Sequence, residues 1–497
     1  MKTKAKKLVT LILTALLVLS ILPMNVFAEP RDVVEGSMAS ITIENAVEND
    51  VLAAYKVVDI TYDATKNTLS YAWNSAFADY FAGTTSYNAT AYTVEQFAAL
   101  ENNSDTLKSL LAQLPNYIAN RTIAPVATQT VGAGKTATFA NLAMGEYFIR
   151  PTSTTSVYQL MLQKIEPTVV NGTYVIDDVT FSAKHQEVSV TKTADKTSVT
   201  KNEKVTYTIT VDIPTYATGA TDRSFSVSDL LPDGLTIDTD SINVILKYLE
   251  FESTLPEGTY TLDKTATDDY TFKFSVDSTQ YLDWAGLGGH HLIITYTATL
   301  NDDATTAVNT KETNTVTFDY SNYPYVANSH KQKTDTVDVT TFAIKIDKYV
   351  DGEETNKLAG AKFDLYRTVY PGETGVTIPH TSIQGIKLEG DKVTDADGVA
   401  TFEKYEANGT NYDYYLVETQ APSGYNLLAD AVKVNFTDTE VATTAGIYTV
   451  QVPNKSGIQL PITGGTGTVI FTIIGIALMV GAVVLFVVSR KKAEESK

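Results

Sequence analysis

The side chains in this sequence that stand out chemically are lysines, acids and asparagines set in strand-like runs. Lys345 lies in Phe342-Ala343-Ile344-Lys345-Ile346-Asp347, Glu418 in Tyr414-Tyr415-Leu416-Val417-Glu418-Thr419, and Asn454 in Val450-Gln451-Val452-Pro453-Asn454. Lys192, Asp229 and Asn314 occupy comparable runs earlier in the chain. A lysine amine attacks a carbonyl only when neutral, and burial among apolar side chains lowers its pKa. A carboxyl group in the same pocket has its pKa raised, so it can polarise an asparagine amide and pass protons while ammonia leaves.

Other chemistries are excluded early. The 497 residues include no cysteine, which removes disulfide scaffolds, thiolate zinc sites and cysteine nucleophiles. Five histidines leave little material for a metal centre, and a formal charge of −20 argues against a nucleic-acid partner. Gly132-Ala133-Gly134-Lys135-Thr136 imitates a phosphate loop, but Gln129 stands where the first glycine belongs. Asp395-Ala396-Asp397-Gly398 reads as a hairpin turn and not a calcium loop, since the further oxygen ligands are missing. His290-His291 reads as a strand start. No cofactor is expected.

The two ends carry address signals. Lys2, Lys4, Lys6 and Lys7 precede an apolar run over residues 8–22, and Val26-Phe27-Ala28 supplies a small-residue cleavage site: a secretory signal peptide, residues 1–28. Residues 469–488 form an uncharged run of bilayer-spanning length, followed by Arg490-Lys491-Lys492. Just before it stands Leu460-Pro461-Ile462-Thr463-Gly464, which matches the LPXTG sorting signal of Gram-positive surface proteins. The resemblance implies that a sortase cleaves between Thr463 and Gly464, passing the Thr463 carbonyl to an amine. Loss of both basic ends leaves the exported segment more acidic than the whole chain.

Between the ends, strand signals dominate. Val205-Thr206-Tyr207-Thr208-Ile209-Thr210-Val211 alternates with period two, and turn signals such as Pro232-Asp233-Gly234 recur. At about 150 residues per domain the length suits three domains. The expected fold is mainly β: three tandem Ig-like, CNA-type sandwiches, the first with helical insertions, plus the C-terminal transmembrane helix. The expected boundaries are residues 29–184, 185–340 and 341–456, with 457–497 as sorting signal, helix and tail. Residues 93–119 have helical apolar spacing, and Thr93 with Gln96 fits a capping box.

The last domain, with Tyr414-Tyr415-Leu416-Val417-Glu418-Thr419-Gln420-Ala421-Pro422-Ser423-Gly424-Tyr425, resembles the CnaB-type domain of Gram-positive pilins and its E-box. That resemblance implies an intramolecular isopeptide bond between Lys345 and Asn454, catalysed by Glu418. The middle domain looks like a CnaA-type pilin domain, implying a Lys192–Asn314 bond with Asp229 as the acid; Lys196, Asn309 and Asn322 are nearby competitors. The first domain lacks both patterns, and no bond is expected there, although a Lys56 pairing stays open.

Leader, crosslinking body and sorting motif together resemble the major, or shaft, subunit of sortase-assembled pili of the SpaA and FimA type. The family uses a lysine of a WxxxVxVYPK motif to join subunits. Residues 175–184 read VIDDVTFSAK, matching at Val179 and Lys184 but lacking the Trp, Tyr and Pro, so Lys184 is the expected linking lysine. The resemblance implies a secreted, wall-anchored structural protein and not an enzyme beyond its own crosslinking. The implied partners are a class C pilus sortase, a housekeeping sortase, identical subunits, minor pilins and peptidoglycan. The alternative is a monomeric LPXTG-anchored adhesin or minor pilin.

Overall fold

A computed structural model describes residues 30–456, apart from 102–103, 217–218, 285, 288, 306–310, 409–411, 443 and 445, together with residues 466–494. The signal peptide and the sorting motif lie outside the described residues. Three hydrophobic cores succeed one another along the chain, each between β-sheets, as the alternating sequence demands.

The first core is enclosed by a sheet in which the long strand Val51–Asp63 pairs with Thr68–Trp73, Ala127–Thr130 and Gly145–Ser153. Met38–Glu44 sits between Ala137–Ala143 and a parallel partner, Val179–Ser182. The helical spacing over 93–119 resolves into two helices. Thr93 and Gln96 do form a capping box, on the short helix Val94–Ala98. Ser104 then caps a second helix, Asp105–Arg121, by accepting from the Leu107 amide. Ala112 on that helix belongs to the middle core, and Asn116 donates to the Tyr325 carbonyl at 2.9 Å. The helical insertion is therefore a joint between the first two sandwiches. Asn322 adds a second tie, to the Thr154 carbonyl at 3.0 Å.

The middle sandwich faces two five-stranded antiparallel sheets. One carries Val190–Ala194, Lys204–Asp212, His291–Leu300, Leu235–Tyr248 and Phe251–Thr254; the other carries Thr261–Asp263, Phe272–Val276, Phe225–Leu230, Glu312–Ser321 and His330–Val339. His291 does open a strand, where it pairs with Asp212.

The third sandwich is joined to the second through the Lys201 amide on the Lys404 carbonyl at 2.9 Å and the Ala407 amide on Ser198 at 3.2 Å. Its first strand, Phe342–Val350, pairs in parallel with its last, Ile447–Asn454, so chain entry and exit lie side by side in one sheet. The other sheet runs Val376–Thr377, Gln384–Val393, Lys362–Thr368, Tyr414–Gln420 and Val432–Val434. The Asp395–Gly398 segment is a turn: Asp395 accepts from the Asp397 and Val399 amides, both at 2.9 Å. Helix Thr466–Glu494 contains an apolar stretch, Phe471–Arg490, long enough to cross a bilayer.

Gly398 is the turn position that tolerates no side chain. Its φ is +72°, and a Cβ there would meet the Lys348 carbonyl oxygen at 2.3 Å. Gly398→Ala is expected to destabilise the third sandwich by about 2 kcal/mol, from left-handed strain plus the clash. Differential scanning calorimetry of Gly398→Ala should show one of the unfolding transitions shifted down and the others unchanged.

Candidate functional site

In the third sandwich, period two decides which lysine enters the core. Ile344, Ile346 and Lys348 share the inward face of Phe342–Val350, whereas Lys345 and Asp347 lie half-buried on the other face. The sequence expectation of Lys345 is therefore corrected to Lys348, whose side chain is fully buried. Its Nζ lies 2.6 Å from Asn454 Oδ1 and 2.9 Å from Glu418 Oε1. The register explains the meeting: Val350 is directly opposite Asn454, so Lys348 reaches it diagonally. Glu418 comes from the facing sheet, in the buried part of Tyr414–Gln420.

Asn454 Nδ2 donates to Glu418 Oε1 at 3.2 Å and to the Asn426 carbonyl at 3.1 Å, while Glu418 Oε2 accepts from the Leu428 amide at 2.8 Å. Every polar atom of the trio is thus engaged inside an apolar shell that includes Phe363, 5.3 Å from the lysine nitrogen. Burial holds the Lys348 pKa below the usual lysine range, with Glu418 opposing that shift. The result is an amine closer to its neutral, nucleophilic form, touching an amide that also touches a carboxylate.

The middle sandwich holds a second cluster across its two sheets. Lys192, from Val190–Ala194, forms an ion pair with Asp229 on Phe225–Leu230, and both side chains are fully buried. Burial lowers the Lys192 pKa and raises that of Asp229, and the attraction between the two charges works against both shifts. Asn314, on Glu312–Ser321, is buried among Val316 and Phe318 on the same inward face. It does not bond to Asp229 or Lys192. All three converge instead on the Tyr296 hydroxyl: Lys192 Nζ at 2.9 Å, Asp229 Oδ1 at 2.8 Å and Asn314 Nδ2 at 2.6 Å.

Two of the three competing residues are engaged elsewhere. Lys196 is part-exposed beside Glu203, Asn322 is committed to the first domain, and Asn309 lies outside the described residues. In the first domain, Lys56 pairs with Asp59 at 2.8 Å on its own strand, where Asp59 is part-exposed. Asn74 donates to the other Asp59 oxygen at 3.2 Å, so lysine, acid and amide do meet, but on a partly exposed site and not a fully buried one. Tyr296 was not singled out in the sequence, since an inward tyrosine among Leu292, Ile294 and Ala298 reads as core.

Lys184 is exposed, two residues after the end of the strand Val179–Ser182. It lines an open cleft of about 800 Å³ together with Leu107, Leu160, Phe181, His185 and Tyr325. Its backbone is fixed where the Gln159 amide donates to its carbonyl at 2.9 Å. No group of three or more metal-ligating side chains occurs among the described residues.

Comparison with known proteins fits this geometry. Residues 342–449 match the SpaA prealbumin-like fold domain, and residues 452–495 match the Gram-positive LPXTG cell wall anchor motif. The chain is 27% identical over 339 residues to fimbrial subunit type 1 of Actinomyces viscosus, covering 60% of this chain and 63% of that protein. Among solved structures, it resembles the T6 backbone pilin of Streptococcus pyogenes serotype M6 with a TM-score of 0.56 and 17% identity, covering 80% of each chain. It also resembles the full-length major pilin SpaD of Corynebacterium diphtheriae with a TM-score of 0.53 and 17% identity, over 86% of this chain and 99% of that one. Fold and anchor define the class: a multidomain β-sandwich protein of the Gram-positive cell surface. Within that class, residues 342–449 carry the SpaA domain, and the fold is similar to that of the two solved pilins.

The two lysines of the third sandwich are separable by mass. Condensation of an amine with an asparagine amide expels ammonia, about 17 Da. Lys348→Ala is expected to keep that mass in the third sandwich, and Lys345→Ala to lose it as the parent chain is expected to, measured by intact-protein mass spectrometry.

Proposed function

We propose that the protein is the shaft subunit of a sortase-assembled pilus, each copy joined to the next by an amide between Thr463 and the side chain of Lys184. The observation that carries this reading is the pairing of an exposed amine at the mouth of a cleft with a sorting motif and apolar span at the far end of the same chain. A donor and an acceptor on different surfaces make a heterologous contact that does not close, which generates a filament. A class C sortase would catalyse each joint and a housekeeping sortase the final transfer to peptidoglycan, with minor pilins added by the same chemistry.

Within each subunit, we infer amide bonds Lys192–Asn314, with Asp229 as the acid, and Lys348–Asn454, with Glu418. Enclosure of both lysines supports them: each amine is fully buried against a carboxylate and reaches an asparagine directly or through one hydroxyl. Each bond would close a loop of roughly 100–120 residues, contributing about 4–5 kcal/mol by analogy with disulfide loops. Each cluster reacts once, on its own chain, so the protein works as a structural part and not a turnover catalyst. The proposed domain limits follow the three cores, at about residues 184 and 340.

Lys184→Ala is expected to abolish the ladder of SDS-resistant polymers in boiled cell-wall extracts and to leave a single wall-linked band. An unchanged ladder would transfer the linking role to another lysine. A single band from the unmodified protein would make it a solitary wall-anchored adhesin or minor pilin.

A further inference from the structure

The middle cluster contains a group that the third sandwich does without. Glu418 touches both Lys348 and Asn454, so one carboxylate can take a proton from the amine and deliver one to the leaving nitrogen. Asp229 is shorter by one methylene. It holds Lys192 but makes no hydrogen bond to Asn314. The gap is filled by the Tyr296 hydroxyl, which donates to Asp229 Oδ1 and accepts from both Lys192 Nζ and Asn314 Nδ2. Asn314 Oδ1, meanwhile, is buried and has no hydrogen-bond partner, so the amide is held in place through its nitrogen alone.

We propose that Tyr296 is a catalytic residue of the Lys192–Asn314 condensation, relaying a proton from Asp229 to the departing nitrogen. This rests on the crosslinking reading given above. The lysine ammonium first gives a proton to the Asp229 carboxylate, leaving a neutral amine and a neutral acid. Lys192 Nζ then bonds to Asn314 Cγ. As the amide loses its planarity, Nδ2 regains a lone pair. The Tyr296 hydroxyl, so far an acceptor along that line, turns donor and protonates it, while Asp229 reprotonates the tyrosine oxygen. The Cγ–Nδ2 bond breaks, ammonia leaves, and Asp229 recovers its proton from Nζ. One C–N bond forms, one breaks, and both Asp229 and Tyr296 end as they stood at the attack.

Tyr296 is rigidly placed for this task. Its ring stacks on Tyr207 at 5.3 Å and meets Phe272 edge-on at 5.2 Å, and the lysine nitrogen sits 5.2 Å from the centres of both tyrosine rings. Phenylalanine would keep these ring contacts and remove only the relay.

The test is a time course of ammonia loss in the chain spanning residues 29–463, synthesised in a cell-free system, quenched in acid at intervals and weighed intact. The parent chain is expected to lose about 34 Da, two ammonias. Tyr296→Phe should lose one ammonia promptly, mapped by peptide fragmentation to Lys348–Asn454, and form the middle bond about 10²–10⁴-fold more slowly. Replacement of Tyr296 by a ring-fluorinated tyrosine, which keeps shape and hydroxyl but makes the phenol more acidic, should change the rate of the middle bond alone. Equal rates in the parent, Tyr296→Phe and fluorotyrosine chains would overturn the relay. A parent chain that never forms the middle bond would instead sink the crosslinking reading on which the relay rests.

Discussion

The proposed crosslinks depend on burying a lysine where its charge is disfavoured. An ammonium ion removed from water is costly unless a partner neutralises it. Lys192 and Lys348 each have one, a carboxylate in van der Waals enclosure, and in both cases the desolvation remains strong enough to hold the lysine pKa down. The buried ion pair is a poor stabiliser in itself. Its value is chemical: the cost is removed permanently once the amine becomes an amide nitrogen, which is neutral and content in an apolar core. The proposed condensation thus relieves the strain that makes it possible, and the sandwich left behind contains a protonated acid where an ion pair stood.

The two clusters solve one problem with different parts. In the third sandwich lysine and asparagine lie on neighbouring parallel strands of one sheet, and the acid arrives from the sheet opposite. In the middle sandwich the lysine stands on one sheet, and acid and asparagine on adjacent strands of the other. A glutamate spans the first arrangement. An aspartate cannot span the second, and a tyrosine hydroxyl from the lysine's own sheet completes the circuit.

How much of this was legible in the sequence differs by element. The apolar span and the sorting motif depend on local composition and could be read directly. So could the alternating strands and the Thr93 capping box. The helical spacing over 93–119 fits one or two helices; Ser104, which caps the second, is the local signal that divides it. Lys345 was chosen by its place near the start of a familiar strand. The alternation Ile344, Ile346, Lys348 already assigned it to the outer face, so that error was avoidable from parity alone. Tyr296 was different in kind. Nothing local separates it from the other inward aromatics, because its role exists only where two sheets bring three remote side chains to one oxygen.

The connectivity of the third sandwich shows why these particular strands are the ones to join. Tension on a fibre enters this sandwich at Phe342 and leaves beyond Asn454, and the two strands concerned run parallel and adjacent. Pulling the start of one against the end of the other shears their shared hydrogen bonds. The proposed amide from Lys348 to Asn454 would carry the load from one strand to the other before it reaches residues 349–453, leaving the remaining strands unpulled. In the middle sandwich a Lys192–Asn314 amide would likewise exclude most of the fold between those residues from the load, but the segment after Asn314 stays in the path. That segment is the pairing of Glu312–Ser321 with His330–Val339, ten registered residues long. Asn314 and the exit at Val339 lie at the same end of that hairpin, so its hydrogen bonds would be loaded one pair after another and not together.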